Sequence, residues 1–463
     1  MRKSMKSLLA VILLATPLVL TSCEGALDDV LGEWSRPTPG NNNNNNNNTN
    51  TTPSTDMTNK YRVWNGSDYD TPDIPSTAID ASTITNTINA GFYDVKGDVN
   101  LSGTITLAGD AEFLLRDGAT FKISGAIVDN NGTYNLKIYA QSEGTGMGKL
   151  DITNSSASDY PITVSKLTIH GGEIIASNTG GTAVNLAGGF DMLGGKLTAS
   201  AISTAIMVYG GPINVVKGTI DAQTSGHYIA AINASGIDIT VLGGTVKATT
   251  SGGGGGSCIK VGGDFTVYDG EIDAQATSSS YGIFASGADK KFTVSGGTVT
   301  AKSGAGGNAA IYVANVMEVN DGTINATAGA NGDGISVLNN SNATTPVFIV
   351  SGGNITAIGG NATTVNGRYG IHIYGDSKIT GGTINATGGD ATGYPGGAGF
   401  SSYNIYLAGC SVVAIGGDGT YSSGVLGTIN FTTGSAKGCA DGTSWNITYT
   451  TGEYPNNQYF KYE

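Results

Sequence analysis

The sequence is short of the residues on which most enzyme and nucleic-acid chemistry depends. Of its 463 residues 13% are charged, three are histidine, four are cysteine and 11 are proline. His170, His227 and His372 lie far apart with no metal-ligand spacing, which argues against a zinc centre. Beyond residue 22 the arginines are Arg36, Arg62, Arg116 and Arg368, and the formal net charge is −13, so the clustered basic surface that nucleic acid requires is missing. Few prolines and no three-residue glycine period exclude collagen. What the chain does have is glycine, 73 residues of it. Each glycine weakens a helix interior by about 1 kcal/mol relative to alanine, which excludes a helical bundle. Valine, isoleucine, leucine and aromatic residues recur throughout, which excludes general disorder. A turn-rich, all-β chain remains.

At the N-terminus Arg2, Lys3 and Lys6 precede an apolar run from Leu8 to Leu20, followed by Thr21, Ser22 and Cys23. A run of about 13 residues is too short to span a bilayer and reads as a secretory signal over residues 1–22. It resembles a bacterial lipoprotein signal, which implies that Cys23 is lipidated, becomes the first mature residue and anchors the protein to a membrane. Glu24, Asp28 and Asp29 resemble the acidic surface-export signal of Bacteroidetes lipoproteins, which implies an outer-membrane, cell-surface location. Asn41 to Asn48 and Thr49 to Asp56 are polar and of low complexity, so residues 23–60 read as a tether with a reach of roughly 35 Å.

From residue 165 a Gly-Gly-Thr-Ile-x-Ala unit recurs. Copies start at Gly171, Gly194, Lys217, Gly243, Asp269, Gly296, Asp321, Gly352, Gly381 and Gly409, at spacings from 23 to 31 residues. A period in the twenties signals a solenoid whose units bury their apolar faces by stacking. Each unit holds three short apolar alternations separated by glycine-rich turns, so the expected fold is a right-handed parallel β-helix with three strands per coil and about 10–13 coils. Alignment predicts three inward ladders. The first runs from Val184 through Ile206, Ile232, Ile259, Ile283, Ile311, Ile335 and Ile371 to Ile405. The second runs from Leu167 through Phe190, Ile213, Ile239, Phe265, Phe292 and Met317 to Phe348, and the third from Ile174 to Val412. The double glycines are expected at sharp corners needing positive φ or close backbone approach. Residues 61–160 read as an N-terminal cap and first coils, 161–427 as the repeats and 428–463 as a C-terminal cap.

The segment Leu136-Lys137-Ile138-Tyr139-Ala140-Gln141-Ser142-Glu143-Gly144-Thr145-Gly146, with the following Lys-Leu-Asp-Ile-Thr and the glycine repeats, resembles bacterial carbohydrate-binding or adhesin-like β-helix proteins with folds similar to pectate lyases. The resemblance covers roughly residues 95–420 and implies glycan binding at a cell surface. Some members of that family bind calcium at an Asp-Gly-Ile that starts the first strand. Here the motif occurs at Asp333-Gly334-Ile335, while Tyr281 and Tyr369 replace the aspartate in other coils.

Catalytic signatures are sparse. Glycoside hydrolases use paired carboxylates, and the mature chain has one adjacent acidic pair, Asp28-Asp29, in the tether. A lyase needs calcium-binding acids and a base, commonly arginine. Arg368, the only arginine in the repeats, stands beside Tyr369 and near His372, so Arg368 and His372 are the catalytic candidates. Gly144 to Lys149 departs from a phosphate loop at both ends and reads as a turn. Cys410 and Cys439 are candidates for a disulfide in the C-terminal cap.

Two features stand out from the scaffold. The outward column of the first strand, Asn185, Met207, Asn233, Lys260, Phe284, Tyr312, Ser336, His372 and Tyr406, turns aromatic toward the C-terminus. With Tyr281, Tyr369, Tyr374, Tyr394, Phe400 and Tyr403 in adjacent loops it offers faces on which sugar rings stack. The alternative is that these rings pack the loops onto the coils. The second feature is Asn361, Asp390 and Asp418, each after a Gly-Gly and in register on successive coils. With Asp333 they are the calcium candidates, and an Asn/Asp turn ladder without metal is the competing reading. The function expected is noncovalent binding of polysaccharide, host or bacterial glycan by a lipid-anchored surface protein. A divergent polysaccharide lyase or hydrolase, and a structural stalk or protein-binding adhesin, are the alternatives.

Overall fold

The computed structural model describes residues 57–339, 345–439, 447–453 and 457–463. The expected signal segment, Cys23 and the tether through residue 56 lie outside the described residues. Contacts divide the chain into two units, residues 1–73 and 74–463. In the first, the described part is a short antiparallel pair, Val63–Trp64 with Tyr69–Asp70, and the Arg62 guanidinium lies 4.1 Å above the Tyr69 ring.

The second unit is a parallel β-solenoid of about 13 turns, and among its described residues the only helical element is one short 3₁₀ turn, Ala81–Thr83. Three strands make a coil. One complete coil is Ile206–Val208, Ile213–Val215 and Thr219–Thr224, and each pairs in parallel with its counterpart in the next coil, Ala230–Ala234, Ile239–Val241 and Thr245–Thr250. Alternation of side chains across each strand sends one column inward, and those columns merge into a single apolar lumen.

The second and third ladders follow the expected register at every rung. Leu167, Phe190, Ile213, Ile239, Phe265, Phe292, Met317 and Phe348 pair in sequence. Ile174 pairs through Leu197, Ile220, Val246, Ile272, Val299, Ile324, Ile355 and Ile384 to Val412. The stack extends below the recognised repeats, through Leu150 and Phe121 to Val99 on the third face. Stacked phenyl rings at Phe265 and Phe292, 4.8 Å apart and inclined by 18°, show how rungs bind each other.

The corner before the third strand explains the double glycine twice over. At Gly172, Gly195, Gly218, Gly244, Gly270, Gly297, Gly322, Gly353 and Gly382 φ lies between 67° and 92°, where side chains other than glycine are strained. From Gly195 to Gly382 a Cβ would also stand within 3 Å of the coil below: at Gly244 it would meet the Gly218 carbonyl oxygen at 2.7 Å. In the last repeat the positive φ, 60°, falls on Gly409 itself, and Cys410 follows it.

The first ladder departs from expectation at its end. Ile371 pairs with Phe400, which is fully buried and continues to Val425, while Ile405 pairs with Ser377 and so belongs to the second ladder. The strand Phe400–Leu407 runs continuously from the first face to the second through a register shift between Ser401 and Asn404. Phe400 is therefore core and no loop ring, and Tyr406 sits opposite Lys378 on the second face, away from His372.

The C-terminal end is closed by antiparallel pairing. Tyr459–Tyr462 lies between Ser411–Ile415 and Ala436–Cys439, with Val412 opposite Tyr462 and Cys439 opposite Tyr459. That arrangement corrects the disulfide expectation. Cys410 precedes the strand Ser411–Ile415 at one end, whereas Cys439 lies across Tyr459 from Ile415 at the other, so they are two interstrand spacings and about five residues of strand apart, far beyond the ~7 Å reach of a disulfide. Both are buried free thiols, as is Cys258.

Candidate functional site

The aromatic column on the first face assembles as the ladder dictates. Lys260, Phe284, Tyr312, Ser336, His372 and Ser401 stand on successive rungs. Phe284 and Tyr312 are stacked, 4.8 Å between centroids and 13° between planes, and Tyr281 leans on both at 4.9 and 5.7 Å. Burial pushes the Tyr281 and Tyr312 phenols above their usual range.

Two coils on, His372 is held between Tyr369 at 4.0 Å and Tyr374 at 4.2 Å. Tyr374 follows the strand Ile371–Ile373 at the corner, and its side is open to solvent at 42% exposure. The Tyr374 phenol is pushed up, first by burial and then by the Asp333 carboxylate, against an opposing pull from the Arg368 guanidinium. Tyr403, in the bulge one coil above, is 65% exposed, and its N–H donates to the Gly375 carbonyl.

Asp333 is the hub of this cluster, with a side chain only 6% exposed. Its Oδ1 accepts from Arg368 Nε at 3.1 Å and from the Tyr369 N–H at 3.2 Å; its Oδ2 accepts from Arg368 Nη2 at 3.3 Å and lies 3.3 Å from His372 Nδ1. A two-pronged guanidinium contact of this kind fixes orientation as well as charge. Arg368 is brought in by its loop, residues 359–370, which packs on the loop 388–399: the Gly389 N–H donates to the Arg368 carbonyl at 2.7 Å. Glycines permit that approach, since a Cβ on Gly397 would lie 1.9 Å from the same carbonyl. The glycine of Asp333-Gly334-Ile335 has a similar steric origin, because a Cβ there would meet the Gly370 carbonyl at 2.5 Å.

The acidic candidates do not converge. Asn361 Oδ1 accepts the Asp390 N–H at 2.9 Å, Asp390 Oδ1 accepts the Asp418 N–H at 2.8 Å, and Gln458 Nε2 donates to Asp418 Oδ1 at 3.1 Å. These side chains form a turn ladder that ties loop to loop, while Asp333 belongs to the ring cluster. Among the described residues no group of three or more His, Cys, Asp or Glu is placed to hold a metal ion.

A similar ladder escaped sequence reasoning. Before the second strand, Asp110 accepts the Asn135 N–H at 2.8 Å, Asp238 the Asp264 N–H at 2.7 Å, and Asp264 the Lys291 N–H at 2.9 Å. Lys290 bridges Asp238 and Asp264 at 3.5 and 3.2 Å, relieving the repulsion that stacking imposes. Repetition of aspartate immediately before the second-ladder residue was the available signal.

Of the expected glycan residues, the structure gathers Tyr369, His372, Tyr374 and Tyr403 with Asp333 and Arg368, and places Phe284 and Tyr312 further along the same face. Tyr394 is exposed on the loop 388–399, and Tyr406 is exposed on the second face. No protein family, no curated protein and no solved structure matches the chain.

Proposed function

We propose that the protein binds a polysaccharide noncovalently on the first face of the solenoid, between Tyr281 and Tyr403, while held at a cell surface by a lipid on Cys23. The observation that carries this reading is the run of half-exposed rings along one face of a stiff, hydrogen-bonded scaffold. Tyrosine and phenylalanine faces accept the C–H surfaces of sugar rings, and rings fixed in place lose little conformational entropy on binding. The Arg368 guanidinium, which a lyase would use as its base, is engaged by Asp333 on two nitrogens. That engagement favours binding over the divergent-lyase alternative.

Pull-down and calorimetry on a panel of plant, host and bacterial polysaccharides test the proposal. Tyr374→Ala with Tyr403→Ala is expected to weaken binding about tenfold or more, as for loss of contacts worth ~1.4 kcal/mol. Tyr406→Ala, on another face, is expected to leave it within twofold, roughly 0.4 kcal/mol. Absence of binding across the panel, or equal loss in both variants, would discard the reading.

A further inference from the structure

We infer that the polymer taken by this face is uncharged, and that Asp333 sets this selectivity by cancelling Arg368. The inference rests on the proposed glycan reading and adds the class of sugar to it. Asp333, Arg368 and His372 meet at the ring cluster, beside the phenols of Tyr369 and Tyr374. The guanidinium of Arg368 is the group best shaped to grip the carboxylate of a uronic acid. It presents its Nε–Nη2 edge to Asp333, so one of its two carboxylate-gripping edges is occupied from within the protein and its positive charge is matched there by a buried carboxylate. Any incoming carboxylate would also approach a buried aspartate in a chain of net charge −13. Further along the ring column, the cation in register is Lys260, one rung from Phe284. One surface ammonium beside a row of tyrosines supplies too little attraction to select a polyanion, because isolated exposed charges interact weakly and are screened by salt. Tyrosine hydroxyls and ring faces are what remain for recognition, and these suit neutral hexose or pentose polymers.

The test compares the purified wild-type protein with Asp333→Asn on a neutral glucan, a neutral galactomannan and polygalacturonate of matched length. Wild type is expected to bind a neutral polymer with an affinity that changes less than about twofold between roughly 0.05 and 0.5 M NaCl, and to ignore polygalacturonate. Asp333→Asn frees the Arg368 fork and is expected to gain binding to polygalacturonate that fades at least about tenfold over the same salt range. If wild type instead prefers polygalacturonate and loses it with salt, the selectivity inference is overturned while glycan binding stands. If wild type binds none of the three and no other polymer in the wider panel, the glycan reading itself has failed. A folded Asp333→Asn protein, with the wild-type unfolding midpoint, that gains nothing overturns the role given to Asp333. The wild-type salt series decides the charge class even where the variant does not fold.

Discussion

Cys258 is buried at the start of a first-face strand, Gly256–Val261, and burial pushes its thiol up to about 12. Burial likewise raises the Cys410 thiol. The folded chain therefore holds protons on these sulfurs where an unfolded chain, with thiols near 8.5, would release them. Their contribution to stability is present below the ordinary thiol range and is lost as pH climbs toward 12. All three thiols are buried away from reagent, so native protein at neutral pH is expected to leave Cys258, Cys410 and Cys439 unalkylated, while denaturant without reductant exposes all three. Peptide mass analysis of the alkylated protein reads this directly, and loss of Cys410 and Cys439 together from the denatured count would restore the disulfide. Asp333 shows the other side of residue chemistry. Its motif pointed to a possible calcium ligand, yet its oxygens are taken by Arg368, Tyr369 and His372. Nothing in the sequence could pair residues 333 and 368, because the loop 359–370 that carries Arg368 is longer than the loop 328–334 that carries Asp333, so the repeat gives no register between them.

The element that defines the architecture is the glycine corner. Its repetition made the third ladder legible in full, since each copy fixes the position of the next inward residue. The second ladder followed for the same reason. The first was legible only to Ile371, because it begins after the loops of varying length. Choosing Ile405 over Phe400 satisfied the apolar pattern but broke the spacing near 29 residues kept by Ile355, Ile384 and Val412. The bulge at Ser402 and Tyr403 had no sequence signature that a strand pattern could show, and it moved Tyr406 to another face. The corner itself is open to test. Gly118 has φ 74° with nothing within 4 Å of a built Cβ, whereas Gly244 has φ 72° and the Gly218 oxygen at 2.7 Å. Gly118→Ala is expected to cost about 1–2 kcal/mol for the left-handed conformation alone. Gly244→Ala is expected to cost about 3 kcal/mol or more, because strain and a backbone collision add. Urea unfolding of both variants separates the two terms; equal losses would show that only φ matters.

At the scale of the whole solenoid, stability is a sum over rungs, and the ends are its weak points. An unpaired parallel edge templates association with other chains. Here the strand Tyr459–Tyr462 covers the last coil in antiparallel register, and Phe460 and Tyr462 are buried in doing so. Removing residues 459–463 is expected to expose Ser411–Ile415 and Ala436–Cys439 and to make the protein associate in a concentration-dependent way, which light scattering over a dilution series would detect. A truncated chain that stays monodisperse would mean the edge is protected by other means. The corner glycines carry a different implication at this scale. Since each stands directly over its counterpart one coil away, with the same backbone conformation, a cut at any two corners leaves ends that match. One coil can be lost or duplicated in the gene as a cassette of 23 to 31 residues without disturbing the rungs on either side. Length thus becomes a heritable variable independent of the ring-bearing face, so that coils can be added or removed outside that face while the same tyrosines remain in place.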